Sequence, residues 1–136
     1  MNTVDFTELG AFREGLPESE RFETFRFFVA RWDIVKARYI IQKANKPVGS
    51  LRVASAARVY GLDRPQTEES AVAVDETRGM SETIDTRVPV ILALLKGASS
   101  PILIDGLHRL YKAYREGKET LPCYALTSEE EQLCRI

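Results

Sequence analysis

Asp105, Gly106, His108 and Arg109 lie within five consecutive positions, between the apolar run Pro101-Ile102-Leu103-Ile104 and the basic, periodic stretch from Leu107 to Arg115. Residues of these types suit an anion. A glycine lets the backbone turn sharply and come close to a ligand, while the first amides of a helix and its partial positive end attract phosphate. His108 is the only histidine in the chain, and Arg109 adds a fixed positive charge. The expected binding residues are Gly106, Leu107, His108 and Arg109. The amides near Leu107 and His108 receive phosphate oxygens, and the Arg109 guanidinium gives charge-assisted hydrogen bonds. Asp105 and His108 are the candidate catalytic pair, and Asp105 is the candidate ligand for a magnesium ion or the group that orients His108. The plainer alternative makes Asp105-Gly106 a simple turn and His108 a surface histidine.

Periodicity supplies the elements that position these groups. Leu107, Leu110, Tyr111 and Tyr114 recur at helical spacing and define one apolar face; His108, Arg109, Lys112 and Arg115 share the other. Lys112 and Arg115 need no role beyond solvation. Gly117 follows where a C-terminal cap is expected. Thr120 to Leu126 reads as a short strand, with Pro122 pointing to a sheet edge or to the start of the ladder. Ser128 and Glu131 form an expected capping box for a last helix ending near Cys134. Upstream, Val88 to Leu95 is too short and too uniformly apolar for periodicity to decide. The favoured reading is a strand that turns through Gly97 to Ser100 and forms a hairpin with Ile102 to Ile104.

Strand, Asp-Gly-x-His-Arg, helix, then a strand carrying Leu121-Pro122: this series resembles the ParB/sulfiredoxin superfamily over roughly residues 84 to 132, most clearly from Ile104 to Ala113. The resemblance implies a fold whose members bind nucleotide phosphates at this turn. Sulfiredoxins carry Gly-Cys-His-Arg, so Gly106, His108 and Arg109 match, but Leu107 replaces the reactive cysteine and sulfinic-acid reduction is not expected. Partition ParB proteins carry Gly-Glu-Arg-Arg, matching Gly106 and Arg109 only. The free-serine kinases, similar in using an Asp-Gly-x-x-Arg turn, keep phosphoryl transfer open.

The N-terminal third has a different texture. Phe22, Phe25, Phe28 and Trp32 recur every three to four residues, so Pro17 to Lys43 reads as one long amphipathic helix or two abutting ones, its aromatic stripe packed on the sheet. Asn45 to Ser50 breaks that pattern. Leu51 to Tyr60 reads as a second helix capped by Ser50. A helix-turn-helix here lacks a basic recognition helix. Asp63 to Ser70 reads as a polar loop, Ala71 to Val74 as a strand, and Asp75 to Ser81 as a mobile stretch over the site.

A chain of 136 residues, 44% hydrophobic, suits one compact domain: a mainly helical part (1–62) and a ParB/sulfiredoxin-like core (70–136). A net charge of −1 offers no general attraction to nucleic acid, so direct DNA binding is not expected. No apolar run reaches the roughly 20 residues that span a membrane, and Met1 to Gly15 lacks a signal-peptide pattern, so a cytoplasmic location is expected. Cys123 and Cys134 with one histidine fall short of the roughly four ligands of a zinc site and read as reduced thiols. The combined expectation is an α+β domain with a small mixed β-sheet, packed helices and an N-terminal helical extension. It binds a nucleotide (ATP or CTP) with Mg2+, or another phosphorylated small molecule, and hydrolysis or phosphoryl transfer remains open. The alternative is a protein-interaction or DNA-partition accessory module that keeps the fold without catalysis.

Overall fold

The computed structural model describes residues 4–27, 29–63 and 83–136. The expected loop 63–70 beyond Asp63, the strand 71–74 and the stretch 75–81 lie outside the described residues. In chain order the elements are α1 (Leu9–Glu14), a 3-10 turn (Glu18–Glu20), β1 (Thr24–Phe27), β2 (Ala30–Asp33), α2 (Ile34–Lys43), β3 (Gly49–Arg52), α3 (Val53–Val59), β4 (Val90–Ala93), β5 (Ile102–Asp105), α4 (Leu107–Arg115), β6 (Thr120–Leu126) and α5 (Ser128–Cys134). This is a mixed α+β architecture, with a two-stranded sheet β1-β2 and a four-stranded sheet ordered β3-β6-β4-β5. Among the described residues no helix is long and apolar enough to cross a membrane.

The expected helix from Pro17 to Lys43 is corrected. Its first half is the antiparallel hairpin β1-β2, with Phe25 opposite Trp32 and Phe27 opposite Ala30. Aromatic residues at a spacing of three satisfy a helix, but Thr24, Phe25, Arg26 and Phe27 also alternate exposed and half-buried, the strand period. The Phe25 and Trp32 rings stack at 6.3 Å, a cross-strand pair of the kind that stabilises hairpins. Only the second half is helical. Asp33 caps α2 by accepting a 3.1 Å hydrogen bond from the Lys36 amide, satisfying one of the donors a helix start leaves open. Ile34, Val35, Ala37, Tyr39, Ile40 and Ile41 then form the buried side of α2.

Three smaller expectations shift. Ser50 does not cap a helix: it lies in β3, which pairs antiparallel with β6 through Gly49–Cys123, Ser50–Pro122, Leu51–Leu121 and Arg52–Thr120, and α3 starts at Val53. Burial of Val53, Ala57 and Tyr60 at helical spacing fixes that start. Pro122 is not on an edge strand, because β6 lies between β3 and β4. Burial of its neighbours Leu121 and Cys123 offsets the ladder donor that proline lacks. The final capping box is one residue earlier than expected: Thr127 accepts from the Glu130 amide, and the Glu130 carboxylate accepts from the Thr127 amide. The strand reading of 88–95 holds in its interior, as β4, which neighbours β5.

The chain forms two compact units. One comprises residues 1–47, 92–105 and 125–136, the other residues 48–91 and 106–124. In the first, α2 packs on α1 and α5, and the hairpin lies against β5. Trp32, fully buried, donates its indole N–H to Glu131 at 3.0 Å, and Arg135 grips the same carboxylate through two nitrogens. In the second, α3 packs on α4. Leu107, Leu110, Tyr111 and Ala113 are buried on α4, and Tyr114 is half-buried, close to the expected face. Gly117 has φ +73°, with the amides of Gly117 and Lys118 donating to the carbonyls of Tyr114 and Ala113. That pattern is the expected glycine stop.

Candidate functional site

β5 ends on Asp105, Gly106 takes φ +105° and ψ 25°, and α4 begins at Leu107 with no side-chain cap. Only glycine adopts that backbone without strain. There is a second, steric reason for it. A Cβ at this position would stand 2.5 Å from Val90 Cγ1 and 3.1 Å from Arg109 Nη2. The turn is therefore built around the absence of a side chain, as the sequence implies, and part of that need is packing against β4.

The basic groups of α4 meet the chain segment just before β4. Arg109, half-buried, donates through Nη1 to the carbonyls of Pro89 at 2.6 Å and Val88 at 3.0 Å. Lys112 donates to the carbonyl of Ile84 at 2.9 Å, and Lys118, beyond the helix, to Thr86 Oγ1 at 2.9 Å. Lys112 thus has more than a solvated role, and Arg109 is already a structural donor. His108 is half-buried beside Arg109 in the first turn; Arg115 is exposed.

In the other unit, Asp105 is 8% exposed and accepts a 3.2 Å ion pair from Arg38 Nη2. Arg38 bridges it to Glu23, 2.9 Å from Nη1. Burial pulls the Arg38 guanidinium down, but the charges of Asp105 and then Glu23 outweigh that, and its affinity for the proton is raised overall. The Asp105 carboxylate is therefore engaged by a permanent cation. Among the described residues no group of three or more His, Cys, Asp or Glu side chains is placed to hold a metal ion. Any cation held by Asp105 would share the carboxylate with the Arg38 guanidinium.

Thiol chemistry is not supported by either cysteine. Leu107, where the expected resemblance would put a reactive cysteine, is buried. Burial raises the Cys123 thiol and pushes Cys134 up to about 12, which keeps both protonated and unreactive at neutral pH.

Sequence reasoning missed Arg38 and Glu131. Arg38 lies 67 positions from Asp105, and nothing local links the two. Glu131 is fully buried although its immediate neighbours in sequence are Glu130, half-buried, and Gln132, exposed. The one available hint was a core tryptophan, whose indole N–H needs an acceptor when buried. Comparison of the chain with protein-family models, with curated proteins and with solved structures finds no match.

Proposed function

We propose that this chain is a ParB/sulfiredoxin-like domain that binds a nucleotide or another phosphorylated small molecule at the turn from Asp105 to Arg109. The observation that carries the reading is the left-handed Gly106 at the start of α4, with no side chain capping the helix. Helix amides of this kind, together with the positive end of the dipole, attract phosphate. In this reading the amides near Leu107 and His108 take phosphate oxygens, His108 and Arg109 add charge, and ATP or CTP is the favoured class. Magnesium enters with the nucleotide's phosphates. Hydrolysis or phosphoryl transfer would use Asp105 and His108, and the hold of Arg38 on Asp105 makes binding the better-supported part. The second reading, a protein-interaction module without catalysis, is favoured by the engagement of Arg109 with Val88 and Pro89.

The test is thermal unfolding with ATP, ADP, CTP, GTP and pyrophosphate, with and without magnesium. At about a hundred times its dissociation constant, a ligand stabilises the native state by about 2.7 kcal/mol. Arg109→Ala should start less stable, having lost its two carbonyl contacts, and should also lose most of the ligand-induced shift. The double replacement Cys123→Ser and Cys134→Ser should keep the shift. No shift in the wild type, or an equal shift in Arg109→Ala, rejects the anion site and leaves the interaction module.

A further inference from the structure

Segment 84–89 turns a row of oxygens toward the cations of α4 and the turn that follows it, all within the unit of residues 48–91 and 106–124. The carbonyls of Val88 and Pro89 accept from Arg109 at 3.0 and 2.6 Å, that of Ile84 from Lys112 at 2.9 Å, and the Thr86 hydroxyl from Lys118 at 2.9 Å. Asp85 adds a carboxylate to the row. Hydrogen bonds from Arg87 first, and more weakly the charge of Lys112, hold it down to about 2, so it is ionised at neutral pH. A phosphate chain would present the same cations with the same kind of groups: several oxygens and a negative charge. The segment itself is neither helix nor strand, and Arg87 and Val88 in it are exposed. Besides the buried Thr86, its hold on the unit runs through these side-chain donors. Segments of that kind are the first to open locally.

We infer that segment 84–89 is a built-in competitor for the α4 cations, and that a phosphate-bearing ligand at Arg109 and Lys112 displaces its oxygens and releases it. The coupling rests on the anion reading of the Gly106 turn and adds regulation to it. Carbonyl and hydroxyl oxygens are neutral acceptors, whereas a phosphate is charged, and bonds between two charged partners are the stronger ones. A ligand shifts an equilibrium only by the difference in its affinity for the two states. Here that difference is built in, because the docked segment uses the same donors the ligand needs. The engagement of Arg109 with Val88 and Pro89 is then the closed state of the site, and the segment sets the affinity a ligand must reach.

The intact chain is titrated with inorganic pyrophosphate and with ATP, affinity being read by calorimetry and the segment by amide hydrogen exchange. At saturation the amides of Arg87 and Val88, which donate to Asp85 at 2.9 and 3.2 Å, should exchange roughly tenfold faster or more, because a turn without its support opens locally. The Lys36 amide, bonded to Asp33 at 3.1 Å, should not speed up. Thr86→Val removes the acceptor of Lys118 with little change in size. It should tighten pyrophosphate roughly tenfold, since the docked state is then held less firmly. Binding of either probe with unchanged or slower exchange in the segment overturns the inference and leaves the anion reading standing, as do equal affinities for the wild type and Thr86→Val. Binding by Thr86→Val alone supports it, the wild-type segment then keeping the site closed. No binding by either protein rejects the anion reading and the inference with it. If Thr86→Val does not fold, the wild-type exchange rates decide.

Discussion

Gly106 separates two demands that a sequence pattern cannot tell apart. Its φ of +105° excludes ordinary side chains by backbone strain, and the 2.5 Å approach to Val90 Cγ1 excludes them by contact. Gly106→Ala is expected to destabilise the protein by at least about 1–3 kcal/mol from the dihedral alone. Adding Val90→Ala should remove the 2.5 Å approach to Cγ1 while leaving the 2.9 Å approach to Val90 Cβ and the backbone strain. In denaturant unfolding, the double variant should therefore be less destabilised than the sum of the two single changes. Strict additivity would show that the approach to Val90 Cγ1 contributes nothing to the demand for glycine. The dipeptide Asp105-Gly106 announced a tight turn, but its neighbour across the turn comes from β4, which no motif names.

At the scale of elements, α4 was legible because its period and both of its glycines agree: Gly106 before Leu107, Gly117 after Glu116. The hairpin β1-β2 was not, because Phe22, Phe25 and Phe28 satisfy a helical spacing. Trp32 takes its acceptor, Glu131, from 99 positions away. Long-range pairing overrode the local pattern. The same burial of Glu131 explains why the capping box shifted by one residue. Both Ser128 with Glu131 and Thr127 with Glu130 satisfy the box by spacing, but a fully buried carboxylate gripped by Trp32 and Arg135 cannot also reach back to a helix start. Thr127→Ala should therefore cost about 1 kcal/mol, as for helix caps generally. Ser128→Ala should cost much less. Thermal unfolding of the two variants decides it, and a larger loss for Ser128→Ala would restore the original register.

For the whole molecule, the sequence suggested a single domain with a mainly helical part (1–62) and a core (70–136), and each of the chain's two compact units draws on both stretches. Residues 1–47 share a unit with 92–105 and 125–136. The buried side of α2 accordingly lacks its counterparts when the N-terminal part stands alone: α5 packs on α2, Glu131 accepts from Trp32, the amide of Ile136 donates to the Arg31 carbonyl, and Arg38 pairs with Asp105. An isolated fragment of residues 1–62 is therefore expected not to fold. It would expose the buried apolar side of α2, leave the Trp32 indole without its native acceptor and leave the Arg38 guanidinium with Glu23 but without Asp105, costs that a segment of this size cannot recover from the contacts left to it. Trp32, the only tryptophan, gives the readout. Its emission should be that of a solvent-exposed indole in the fragment and of a buried one in the full chain, and the fragment's amide NMR spectrum should be collapsed. A blue-shifted emission with dispersed amides in the fragment would show that residues 1–62 fold independently, and the contacts with Glu131 and Asp105 would then be additions to an autonomous unit.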